Sequence, residues 1–306
     1  MSLSADRKSP GALALCLMVL LAMLWGAQQV TIKVAAADVS LVAQAGIRSA
    51  VATLLLFVWA RVRGIPLLRR DGTLANGVIA GVLFSAEFAL IYAGLAYTAA
   101  SRMVVFLYLS PCLTALGLSL LVPGERLNSR QWVGVWLAFA GVAAAFWEGF
   151  SSSRNTTWIG DLCGLMAASL WAATTVLIRA TNLGRTSATK VLFYQLVVSA
   201  LTLPAVSWLL GEPGVVRMTA STAAILAYQG VVVAFASYLV WFWLLTKYLA
   251  ARLSVFSFLT PLFGMLFGVA FLEEPITETF AAAGILVAAG ITLVNAPVKK
   301  LAEGTR

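Results

Sequence analysis

The feature that most limits what this chain can become is a recurrence of apolar runs about 20 residues long, separated by short charged or Gly/Pro-marked breaks. Ten such runs fall at 12–33, 41–60, 74–98, 101–122, 130–148, 159–180, 188–210, 222–246, 252–272 and 279–296. Each is continuous rather than alternating, so it reads as a membrane-crossing helix and not as a barrel strand. The segments between runs leave no room for a soluble domain. The expected fold is therefore an all-α integral membrane protein of ten transmembrane helices. With 61% hydrophobic and only 11% charged residues, the chain exceeds what one water-soluble core can hide, which excludes a soluble enzyme or a nucleic-acid binder.

The net charge of +9 follows from topology. With a cytoplasmic N-terminus, the inner segments carry Arg7, Lys8, Arg61, Arg63, Arg69, Arg70, Arg126, Arg130, Arg179, Arg185, Lys190, Lys247, Arg252, Lys299, Lys300 and Arg306. The outer segments carry Lys33, Arg102, Arg154 and Arg217, and Arg48 lies inside a span. A bias of sixteen to four predicts both termini inside, in a cytoplasmic (inner) membrane. Arg7 and Lys8 before an apolar run also suggest a signal peptide, but the run is long and Lys33 would fall in the cleavage region.

The two halves repeat each other. Trp25-Gly26-Ala27 with Val30, Ile32 and Lys33 matches Trp171-Ala172-Ala173 with Val176, Ile178 and Arg179. Arg102, Phe106, Leu109, Pro111 and Leu116 match Arg252, Phe256, Leu259, Pro261 and Leu266. Glu125, Leu127 and Gly141 match Glu274, Ile276 and Gly290. Five spans per half is an odd number, so the second copy enters the bilayer from the opposite side, an arrangement suited to alternating access. The expected organisation is a first repeat at 1–148, a linker at 149–158, a second repeat at 159–298 and a cytoplasmic tail at 299–306.

These residues resemble the EamA-type, ten-helix branch of the drug/metabolite transporter superfamily. The likeness extends to the stretch from Tyr92 to Thr98 and to the turn Gly124-Glu125-Arg126-Leu127. Within that superfamily the chain is similar to the YddG-type exporters of aromatic amino acids, which also handle some organic cations. The resemblance implies export of a small metabolite, a peripheral scaffold formed by the fifth and tenth spans, and a gating role for Lys33.

Polar, aromatic and kinking residues inside spans are the candidates for transport. Pro111 and Pro261 sit at equivalent places in the fourth and ninth spans, where a missing backbone donor predicts a kink or hinge. Arg48 and Glu87 are the charges expected deep in lipid, about 10 and 16 Å from the outer surface at ~1.5 Å per residue. They are candidates for an ion pair; Glu87 is equally a candidate to bind a substrate ammonium, and less readily a protonated coupling site.

The candidate substrate-binding set is Trp25, Gln28, Gln29, Phe84, Glu87, Tyr108, Trp171, Thr175, Ser237, Tyr238, Trp241 and Phe258. Their rings suit stacking and cation–π contact with an amphipathic solute. The absence of histidine removes the usual protease bases and zinc ligands, and Asp38, Asp71 and Asp161 fall at span ends, so an enzyme is not expected. Cys16, Cys112 and Cys163 read as buried, inert thiols. No cofactor or metal is expected. The expected partners are a small-molecule substrate (amino acids or related metabolites) and membrane lipid, with no nucleic acid; a monomer suffices. A pore-type channel is the rival from another class.

Overall fold

The computed structural model describes residues 12–121, 127–151, 156–247 and 259–295. In hydrocarbon a backbone N–H or C=O has no solvent partner, so each apolar run closes its own hydrogen bonds as a helix. The helices are α1 (Ala12–Ala35), α2 (Leu41–Val62), α3 (Leu74–Gly94), α4 (Ala100–Leu107), α5 (Ser110–Leu121), α6 (Ser129–Ser151), α7 (Thr157–Ala180) and α8 (Ala188–Leu209). They continue with α9 (Ala220–Ala227), α10 (Tyr238–Lys247), α11 (Leu259–Leu272) and α12 (Glu278–Asn295). Seven segments of the described residues are long and apolar enough to cross a bilayer, and α11 and α12 are shorter apolar helices. The one β feature among the described residues is an isolated antiparallel bridge between Val39 and Val215.

Two spans are less regular than the sequence suggests. The fourth breaks at Tyr108–Leu109, between α4 and α5, one turn before Pro111, where the proline ring and its missing N–H interrupt the helix. The eighth is helical throughout but becomes a π-helix over Tyr228–Ser237, between α9 and α10. The ninth is described only from Leu259, with Pro261 inside α11. In addition, α6 runs to Ser151 and α7 begins at Thr157, so helix enters both ends of the expected linker.

Close packing joins the halves to each other. Gly26 of α1 meets α11, where an added Cβ would lie 2.9 Å from the Gly264 amide nitrogen. Gly46 of α2 seats Pro204 of α8, and Gly230 of the π-helix seats Val51 of α2. Gly160 of α7 lies against the Gly94 carbonyl of α3. Gly81 of α3 meets Val198 of α8, and Gly264 of α11 meets Val104 of α4, all eight of whose residues are buried. Small residues let the backbones approach closely, which substitutes for a hydrophobic drive that lipid cannot supply. The outward surface is apolar instead: Leu54, Leu201 and Phe271 are each about two-thirds exposed or more. Cys16 is exposed as well, contrary to the expectation of a buried thiol, because it lies on the outer face of α1. Cys112 is buried.

The α6–α12 pair offers a test against backbone atoms on both sides. A Cβ on Gly290 would meet the Gly134 carbonyl oxygen at 2.5 Å and the Ala138 nitrogen at 2.7 Å, both backbone atoms that cannot rotate away. Gly290→Leu should therefore destabilise the detergent-solubilised protein by about 1–3 kcal/mol or more. Val133→Leu, on the half-exposed face of α6, should leave the melting temperature within error.

Candidate functional site

The π-helix and the break before Pro111 set the centre of the site. A π-helix adds residues per turn and re-aims the side chains that follow it. Here it buries Gln229 and Ser237 and delivers Tyr238 and Trp241 just beyond. The Ser237 hydroxyl accepts from Trp25 Nε1 at 2.9 Å and donates to the Val233 carbonyl, so α1 is tied to the π-helix by a satisfied bond. Trp25 and Trp241 meet edge to face with centroids 5.9 Å apart. At the α4–α5 break, Tyr108 is buried and meets Trp171 of α7 edge to face at 5.7 Å. Its hydroxyl adjoins Thr260 and lies within electrostatic reach of Tyr238. Tyr108 thus marks the break itself rather than sharing a helical face with Pro111.

Arg48 of α2 is wholly buried, with its guanidinium carbon 3.9 Å from the Phe88 ring centroid. Among the described residues none of its three nitrogens makes a well-formed hydrogen bond. Tyr92 and Tyr238 are near neighbours, and Glu87, itself buried, acts on Arg48 through space. Among the described residues no hydrogen bond joins the Arg48 and Glu87 side chains. Tyr92 donates instead to Gln229 Oε1 at 3.1 Å; Gln229 donates to Gln44, which in turn holds the Ile32 and Val39 carbonyls. Gln28 adjoins the Tyr92 hydroxyl, and the buried Gln29 keeps an unpartnered carbonyl oxygen. Phe84 packs on Phe88 at 4.6 Å. Thr175 donates to the Trp171 carbonyl in its own helix. Phe258 lies outside the described residues. Among those residues no group of three or more His, Cys, Asp or Glu gathers to hold a metal ion.

Charge also collects at both ends of the bundle, where sequence reasoning saw only span ends. Arg102 is buried against Asp161, with Nη2 at 2.6 Å and Nε at 3.2 Å from its oxygens. It also donates to the Ala145 carbonyl and stands 3.6 Å from Glu148. Thr98 donates to Asp161 at 2.7 Å, while the Thr98 carbonyl accepts from Lys33 at 2.9 Å. Lys33 lies 3.7 Å from Glu274, whose carboxylate caps α4 by accepting from the Ala100 and Ser101 amides. The one advance signal was that Arg102 and Glu274 sit inside the repeated blocks; Asp161 carried none. Beside this cluster, Asp38 is held by Arg217, Thr219 and Thr222. At the opposite end Lys190 donates to Asp71 at 2.8 Å and to the Arg69 carbonyl. A shallow cavity of about 590 Å³ there is lined by Arg69, Asp71, Thr73, Asn182 and Lys190.

The model of the EamA-like transporter family matches residues 12–147 and 158–296. The chain belongs to the EamA-like transporter family. It is 28% identical over 284 residues to the uncharacterized transporter YvbV of Bacillus subtilis, covering 92% of each chain. An uncharacterized transporter of Archaeoglobus fulgidus is also 28% identical, over 92% of this chain and 96% of its own. A crystal structure at 18% identity superposes with a TM-score of 0.64 over 92% of this chain and 96% of that one, a likeness of fold alone. As an EamA-like protein this chain is a multi-pass membrane transporter of a small molecule. Its relatives are transporters and not enzymes.

Two predictions follow from the end clusters of this EamA-like transporter. Asp161→Ala strands a buried guanidinium and should cost about 3–5 kcal/mol, read as a lowered melting temperature in detergent. Converting both Arg102 and Asp161 to Leu should restore much of that loss. At the other end, the Lys190 hydrogen bond, helped by Thr73, lowers the Asp71 carboxyl from near 3.8 to about 2. The stability gained from that depressed value is complete above pH 3.8 and disappears as the pH falls through about 2. Melting curves recorded between pH 5 and 2 should therefore fall more steeply for the natural chain than for Asp71→Asn.

Proposed function

We propose that this EamA-like chain is a secondary transporter that exports amphipathic small metabolites, aromatic and other amino acids foremost, by alternating access between two inverted five-helix repeats. The carrying observation is a set of buried Arg48, Glu87 and Tyr108 with partly buried Trp25, Trp171 and Tyr238, supplied by both halves and combining rings with charge. Rings of this kind hold a flat apolar side chain at about 0.5–1.5 kcal/mol per contact, and the charged groups answer its polar end.

The inverted-repeat reading is supported by the repeated sequence blocks and by the match of the family model to each half. Helix pairing follows the same rule. The pair of α1 with α11 has its exchanged counterpart in α7 with α4, and α2 against the π-helix has its counterpart in α8 against α3. The pairs α2 with α8 and α6 with α12 map onto themselves, as expected for helices on a pseudo-two-fold axis.

In this reading the repeats rock about the central site. Lys33–Glu274 and Arg102–Asp161 bridge the halves at one end, and Lys190–Asp71 bridges them at the other. Opening one end breaks its bridges while the other end stays closed. The charge bias supports a cytoplasmic (inner) membrane with both termini, and the Lys190–Asp71 bridge, on the cytoplasmic side. Glu87 among aromatic rings also suits an organic cation, which makes drug-like amines the second reading.

Proteoliposomes preloaded with unlabelled substrate should take up labelled phenylalanine, tyrosine or tryptophan by saturable counterflow. Counterflow of amines alone would favour the second reading. Single-channel conductance without counterflow would exclude a carrier.

A further inference from the structure

We propose that Arg48 is the residue that recognises the carboxylate of the transported molecule, with Glu87 answering its ammonium group, so that the site selects zwitterions over bare amines. The inference rests on the transport reading above and adds the chemistry of the substrate's polar end.

The contrast between two arginines carries it. Arg102 is buried and fully engaged, by both oxygens of Asp161, by the Ala145 carbonyl and by Glu148. The fold is therefore able to satisfy a guanidinium inside the bundle. Arg48 is buried more completely, yet among the described residues Nε, Nη1 and Nη2 make no well-formed hydrogen bond and are approached by the neutral hydroxyls of Tyr92 and Tyr238. Arginine stays protonated at any physiological pH, so it cannot relieve burial by becoming neutral. The Phe88 ring covers one face of the guanidinium and answers its charge only partly, since a ring has no acceptor for in-plane N–H groups.

What remains open is the edge of a planar fork, the geometry that a carboxylate matches with two parallel hydrogen bonds. The carboxylate of Glu87 does not fill that role. With Glu87 ionised, Arg48 and Glu87 sum to zero charge, as a zwitterion does, so an α-amino acid enters without leaving a net charge in lipid. A dianion such as a phosphate ester would meet Glu87 unanswered. An organic cation would meet Glu87 but leave Arg48 unpaired and repelled. The rings around the pair, Phe88, Tyr92 and Tyr238 among them, would then hold the side chain.

The test uses the full chain in proteoliposomes and three probes with the same phenyl ring: phenylalanine, phenethylamine (no carboxylate) and 3-phenylpropanoate (no ammonium). The natural chain should exchange phenylalanine at least about tenfold more effectively than phenethylamine. Arg48→Gln should lose that advantage by weakening phenylalanine at least about tenfold while leaving phenethylamine unchanged or improved, and Arg48→Lys, which keeps charge but not the fork, should fall between. Thermal unfolding of each variant monitors folding. Should Arg48→Gln not fold, the probe comparison on the natural chain and on Arg48→Lys decides. Phenylalanine exchange by Arg48→Gln within twofold of the natural chain overturns the proposal, as does a natural chain that takes phenethylamine as readily as phenylalanine. If no phenyl compound is exchanged, the aromatic reading fails by itself. The same comparison on aliphatic amino acids and their matching amines then judges Arg48, and exchange confined to compounds without a carboxylate overturns its role.

Discussion

The structure depends on one constraint: in hydrocarbon, every polar group must find its answer inside the protein. The consequence is a molecule with its polarity inverted. Leu54 and Leu201 face outward, while Arg48, Gln44, Gln229 and Asp161 are fully buried. Because polar groups have only the interior to go to, they collect where helices of the two halves meet. The glycines at 26, 46, 160 and 290 bring the backbones close enough for those groups to reach one another.

The polar interior is not uniform. At both ends of the bundle charges are paired across the halves, through Lys33 and Glu274, Arg102 and Asp161, Asp38 and Arg217, and Lys190 and Asp71. At the centre Arg48 has, among the described residues, the Phe88 ring face and the neutral hydroxyls of Tyr92 and Tyr238 beside it. Satisfied bridges resist opening, whereas an unanswered guanidinium attracts a partner from outside. This distribution suits the proposed carrier, with ends to be latched in turn and a middle that a substrate would complete. The two interruptions in helix geometry, the break before Pro111 and the π-helix of Tyr228–Ser237, lie on the helices that line that middle.

Much of this was legible beforehand. The positions of the apolar runs, the prominence of Trp25, Trp171, Ser237 and Trp241, and the cost of burying Arg48 and Glu87 all follow from composition at fixed spacing. Trp25 does meet Ser237 and Trp241. The burial of Arg102 against Asp161 was not legible, because a charge near a span end reads as solvated until a second helix covers it. Nor was the π-helix, since the segment differs from a regular helix in hydrogen-bond register and not in hydrophobicity.

The sequence by itself determined that this chain lives in lipid, because that property depends only on the order of apolar and polar residues along the chain. Tertiary structure decided which buried charge is answered and which is left open. Asp161 is 59 residues from Arg102, and no equivalent reaches Arg48; only the packing of separate helices fixes such distances.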